Sequence, residues 1–94
     1  MNLVQYLLTK LTEECGEVVV EACKASQFGY EDSHPKYVGT NRERLHAELD
    51  DIAAVISLLN DQGLNYIPNW DNIQAKKAKV LYYEMVARKN GGVS

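Results

Sequence analysis

Two short clusters of helix-breaking residues divide this chain and set what it can become. The first, "FGYEDSHPKYVGTN" at residues 28–41, holds Gly29, Pro35 and Gly39; the second, "DQGLNYIPNWDN" at 61–72, holds Gly63 and Pro68. The three segments they delimit are free of both breakers apart from Gly16. None alternates apolar and polar residues long enough to make a strand. The pattern predicts helices at about 2–27, 41–61 and 70–89 and a frayed tail over 89–94. Thr40 or Asn41 is expected to cap the second helix, and Asn69 or Asp71 the third. The expected class is all-α. A chain of 94 residues is one small domain, 1–94, with a modest core that we expect oligomerisation to complete.

The bulk properties narrow the partners. A formal charge of −3 argues against an electrostatic nucleic-acid binder, which needs a basic face. No uncharged run approaches the length of a bilayer-spanning helix, and no basic region precedes the apolar residues of "MNLVQYLLTK". Neither a nucleic-acid nor a membrane partner is therefore expected. Cys15 and Cys23 are eight apart, about 12 Å along a helix and too far to bridge. Unpaired thiols without an export signal point to a reducing cytoplasm, with both cysteines as buried structural residues.

The acids carry more information. Plotted at 100° per residue from Leu7, the residues Leu11, Cys15, Val18, Val19, Ala22 and Ala25 fall between roughly 0° and 120°, a core stripe. Glu14, Glu17 and Glu21 fall at roughly 340°, 280° and 320°, flush against that stripe, with Glu13 near 240°. Like charges at this spacing repel. Lys10 and Lys24 flank them, so this helix alone reads either as a solvated face or as a seat for a cation; Glu21 reads as a solvated neighbour of Lys24.

The second helix is different. Taken from Leu45, the residues Leu49, Ile52, Val55, Ile56 and Leu59 span roughly 280° to 40°, and Glu48 falls at about 300°, inside them. Asp51 lies beside it, while Asp50 points away. A Glu within an apolar stripe is costly unless a lysine or arginine pairs with it or it binds a cation. Packed antiparallel, the two helices would bring Glu14, Glu17, Glu48 and Asp51 together. Four oxygen ligands without His or Cys suit Mg²⁺, or Mn²⁺, and such sites commonly serve phosphate chemistry.

In the third helix Lys76 and Lys79 lie among Val80, Tyr83, Val86 and Ala87. They either snorkel to solvent or reach polyphosphate oxygens. Glu43-x-x-His46 is half of a di-iron carboxylate signature, but there is only one such motif and it points away from the acids. His34 and His46 read as surface residues. Tyr66 and Trp70 read as core aromatics, or as a platform for a base.

"EECGE" followed by "ELDD" resembles the EExxE…ExxD signature of the MazG-like all-alpha nucleoside triphosphate pyrophosphohydrolase superfamily. The resemblance covers residues 3–64, with a weaker similarity in "NIQAKKAKV". It implies cleavage of a nucleoside triphosphate substrate between its α- and β-phosphates, in a cytoplasmic homodimer or homotetramer with Mg²⁺ as cofactor. The implied metal ligands are Glu14, Glu17, Glu48 and Asp51, with Glu13 orienting or activating water and Lys76, Lys79 and Asn72 contacting substrate. The thirty-residue spacer between Glu17 and Glu48 is longer than the family usually shows, which makes "FGYEDSHPKYVG", residues 28–39, either a substrate loop or a longer turn. Two alternatives stay open. "KLTEECGEVVVEA" also resembles the phosphoribosyl-ATP pyrophosphohydrolase of histidine biosynthesis, and a catalytically silent helical interaction module could keep the same fold.

Overall fold

A computed structural model describes residues 1–92. Among them are three helices, α1 (Leu3–Phe28), α2 (Asn41–Asp61) and α3 (Trp70–Lys89), and no strand. Capping fixes the starts. The Asn2 side chain accepts from the Gln5 amide while Gln5 reaches back to the Asn2 amide, and Thr40 and Glu43 repeat the arrangement ahead of α2. Asn69 caps α3 alone, through the Asn72 amide. At the far end, Gly91 adopts φ 78° and the Gly92 N–H donates to Ala87 O at 2.7 Å, closing α3 in a Schellman-type turn. Residues 90–92 are therefore held by the helix rather than frayed, and the rest of the expected tail lies outside the described residues.

The helices α1 and α2 form an antiparallel hairpin. The loop between them is tied back: Asn41 N–H donates to Asp32 O, Arg42 N–H to Tyr30 O, and the Asn41 side chain to Gly29 O, at 2.8, 2.9 and 2.9 Å. Asn41, one of the two cap candidates, is thus a buried strut, and Thr40 is the cap.

The seam of the hairpin departs from the expected stripe. The α1 residues turned toward α2 are Leu7, Leu11, Glu14, Val18, Glu21 and Ala25. Cys15 and Cys23, expected to be buried, are exposed, as are Ala22 and Val19, the last at 61%. The physical reason is width. The apolar stripe of α1 spans more arc than one helix covers, and α2 lies over its acidic edge. On α2 the expected face holds: Leu45, Glu48, Ile52, Val55, Ile56 and Leu59 are turned inward, while Leu49 is open.

Only Leu7 and Leu59, 5% and 2% exposed, are fully buried apolar side chains among the described residues. The third helix packs against neither α1 nor α2. No residue of α3 is buried, and Val80, Leu81, Tyr82, Tyr83 and Met85 all face open space.

Candidate functional site

The hairpin register brings three of the four expected ligands together. Glu14, Glu48 and Asp51 each offer a carboxylate oxygen, and these atoms lie within 4.8 Å of one another. Glu14 sits on the α1 seam and Glu48 on the α2 seam, so packing the two helices forces their carboxylates into one space. Asp51, one turn beyond Glu48, closes the group from its exposed side. Glu17 stands outside this trio, one turn from Glu14 and exposed.

Glu48 is the strained member. Its Oε2 is buried and has no hydrogen-bond partner. Burial pushes its carboxyl above the usual glutamate range, and the negative charges of Asp51, Glu14 and, least, Glu17 push it the same way. Among the described residues no lysine or arginine pairs with it. The acids engaged in ion pairs among the described residues are Glu13, Glu21, Glu31 and Glu84, none of them in this group. A carboxylate-only donor set with an unpartnered oxygen fits a hard divalent cation by its chemistry.

The other expected residues lie apart. Glu13 is exposed and paired with Lys10 at 3.1 Å, off the seam. Lys76, Lys79 and Asn72 are exposed on α3, which does not touch the hairpin, so one chain does not bring them to the acids. Glu43 serves the α2 cap, where hydrogen bonds from the Thr40 amide and hydroxyl hold its carboxyl below the usual range. It is not available as half of a di-iron motif.

Glu21 corrects the sequence reading. It is 8% exposed rather than solvated, and it accepts from Arg44 Nε at 3.4 Å across the hairpin and pairs with Lys24 at 3.5 Å. Arg44 in turn donates to Gly39 O at 2.6 Å and to the Asn41 side chain, and it stacks over Tyr37 with Lys24 close to the same ring. Beside this network a cavity of about 160 Å³ opens under the loop. The placement has a simple arithmetic. Seven residues forward along α1, from Glu14 to Glu21, match seven residues back along α2, from Asp51 to Arg44. Seven residues are about two turns, or roughly 10 Å, so the clamp sits on the same seam as the acids. That antiparallel pairing of an acid with a base was the signal in the sequence, and it becomes visible only once the register is known.

No protein-family model, curated protein or solved structure matches this chain.

Proposed function

We propose that this chain is a nucleotide pyrophosphohydrolase that uses Mg²⁺, with Mn²⁺ as an alternative, to split a nucleoside triphosphate into a monophosphate and pyrophosphate. The observation that carries the reading is the meeting of Glu14, Glu48 and Asp51, with one Glu48 oxygen buried and unpartnered. It is supported by the resemblance of "EECGE" and "ELDD" to a family signature built on these positions.

In this reading Glu14, Glu48 and Asp51 would hold the cation, with Glu17 on the adjacent turn of α1 as a fourth candidate ligand. The bound cation would supply charge neutralisation for the polyphosphate and a Lewis acid for its oxygens. Water would attack the α-phosphorus as the bridging oxygen leaves with the β-phosphate, and Glu13, off the seam and paired with Lys10, would have to leave that pair to take the water's proton. Lys76, Lys79 and Asn72 would take phosphate oxygens only from a second copy, because α3 does not touch the hairpin of its own chain. The protein works as a cytoplasmic homo-oligomer on the nucleotide pool. Among the described residues no helix is long and apolar enough to cross a membrane.

The test is pyrophosphate release with Mg²⁺ across a nucleotide panel that includes phosphoribosyl-ATP, for wild type and Glu48→Gln. Wild type turns over at least one nucleotide and the variant falls at least 100-fold, about 2.7 kcal/mol of lost transition-state stabilisation. Equal rates, or none in either protein, would remove the reading. A second readout does not depend on turnover: Mg²⁺ raises the Tm of wild type and hardly moves that of Glu48→Gln.

A further inference from the structure

The cavity beneath the interhelical loop lies outside the acidic cluster, and its walls have a definite chemistry. Two aromatic rings, Phe28 and Tyr37, border it while standing 62% and 50% exposed. His34, tilted against Tyr37 at 5.3 Å, continues that wall. Bare rings around a hollow offer the surface on which a flat ring stacks. The hollow measures about 160 Å³. An apolar cavity of about 150 Å³ holds benzene, so this space takes one six-membered ring and excludes a fused pair.

The polar lining says which ring. Arg44 is no receptor for an anion, because its N–H groups are already given to Glu21, Val38 O, Gly39 O and the Asn41 side chain. With the buried Asn41 it makes a fixed floor. Two charged groups of the lining keep capacity to spare. The Asp32 carboxylate has no ion pair among the described residues, although Asp32 O is held by the Asn41 amide at 2.8 Å. Lys24 has three N–H donors, of which Glu21 engages one at 3.5 Å, and its ammonium lies 4.3 Å from the Tyr37 centroid. A free acceptor and a free donor of opposite charge suit a neutral ligand that carries both functions. A pyrimidine base is such a ring: its amino or imide N–H suits Asp32, and its carbonyl suits Lys24.

The cavity also stands at a fitting remove from the acids. Glu48 is four residues along α2 from Arg44, and Glu14 is ten along α1 from Lys24. These are rises of roughly 6 and 15 Å, a span that a pentose with its α-phosphate bridges.

We propose that this cavity is the base subsite of the chain, and that it admits pyrimidine nucleotides and rejects purine ones. Phe28 and Tyr37 stack on the ring, while Asp32 and Lys24 read its edge. Phe28, Asp32 and Tyr37 come from the stretch that lengthens the spacer between Glu17 and Glu48, so that stretch is a substrate loop rather than a longer turn. Selection during turnover rests on the pyrophosphohydrolase reading, whereas binding of the ring does not.

The first arm of the test needs no turnover. The full chain, ¹⁵N-labelled and free of metal, is titrated with cytidine, uridine, adenosine and guanosine. Cytidine or uridine shifts the amide signals of Phe28, Asp32 and Tyr37 to saturation, and the purine nucleosides bind about 20-fold more weakly. Asp32→Ala, which removes a carboxylate without an ion pair in the fold, weakens pyrimidine binding about 10-fold and leaves the rest of the spectrum in place. No shift at these signals, equal binding of purines, or unchanged binding by Asp32→Ala overturns the pocket. The second arm reads turnover with Mg²⁺. The kcat/KM for pyrimidine triphosphates exceeds that for ATP and GTP about 20-fold, and Phe28→Ala, which widens the cavity, brings the two classes near parity. Equal kcat/KM for both classes in the wild type overturns the selection. Hydrolysis without any nucleoside shift keeps the pyrophosphohydrolase reading and removes the pocket. Pyrimidine shifts in a protein that hydrolyses no nucleotide leave the pocket standing and remove that reading.

Discussion

The hairpin and α3 are built from similar material and end differently. Both consist of long, capped helices, yet α1 and α2 bury a seam whereas α3, whose apolar residues are spread around its circumference, has no buried residue. What separates them is polar. The seam is pinned by Glu21 with Arg44 and by Asn41 with Gly29 O, contacts that specify one register as apolar packing alone would not. Among the described residues the third helix has no such contact to α1 or α2; its side-chain ion pair, Glu84 with Arg88, is internal. In this molecule apolar surface supplies adhesion, and buried polar groups decide where it is applied.

The contrast can be broken most severely at the clamp. Arg44→Leu leaves Glu21 nearly buried with only Lys24 beside it, and removes the donors that hold Gly39 O and Asn41. We expect a loss of about 3 kcal/mol, read as a lower denaturant midpoint. A loss below about 0.5 kcal/mol would mean that apolar packing sets the register after all. The cap comes next. Thr40→Ala removes the acceptor for the Glu43 amide, at an expected cost of about 1 kcal/mol in the same measurement.

A third change alters a slope rather than a level. The Glu48 carboxyl is raised in the folded chain above the ordinary value of 4.5. Its favourable contribution is thus complete below about pH 4.5 and is lost as pH rises through the higher folded value. In metal-free buffer, Glu48→Gln should therefore gain stability relative to wild type as pH rises above 4.5. Melts from pH 4 to 8 check this, and a constant difference would show that the carboxylate is not strained by its neighbours. The smallest effect belongs to α3: Arg88→Ala breaks an exposed pair within one helix and should shift the midpoint by less than about 0.5 kcal/mol.

Much of the fold was legible beforehand. Gly and Pro placement located all three helices to within about a residue, and the wheel put Glu48 inside its stripe. What escaped was the relation between helices. A wheel shows which residues share a face, but not which part of a wide face a single neighbour will cover. Cys15, Cys23 and Val19 therefore read as core and are open. Glu21 read as wet for the same reason, since its burial depends on Arg44 arriving from another helix. Glu14, Glu48 and Asp51 were legible as a group because their two seams meet wherever the hairpin closes, whereas no feature of "NIQAKKAKV" announces that α3 ignores its own chain.

The separation of α3 from the hairpin has a further consequence, for time rather than for structure. The hairpin can close by contacts within one molecule, at a rate blind to how many others are present. The linker, clasped at Tyr66 by the Asn60 side chain, turns α3 away, so its apolar side chains find no cover on the hairpin of their own chain. If a second copy covers them, assembly would be of mixed order, unimolecular for two helices and bimolecular for the third. Dilution would slow the second stage and spare the first, and the dose of protein in a cell would govern how long those side chains stay bare.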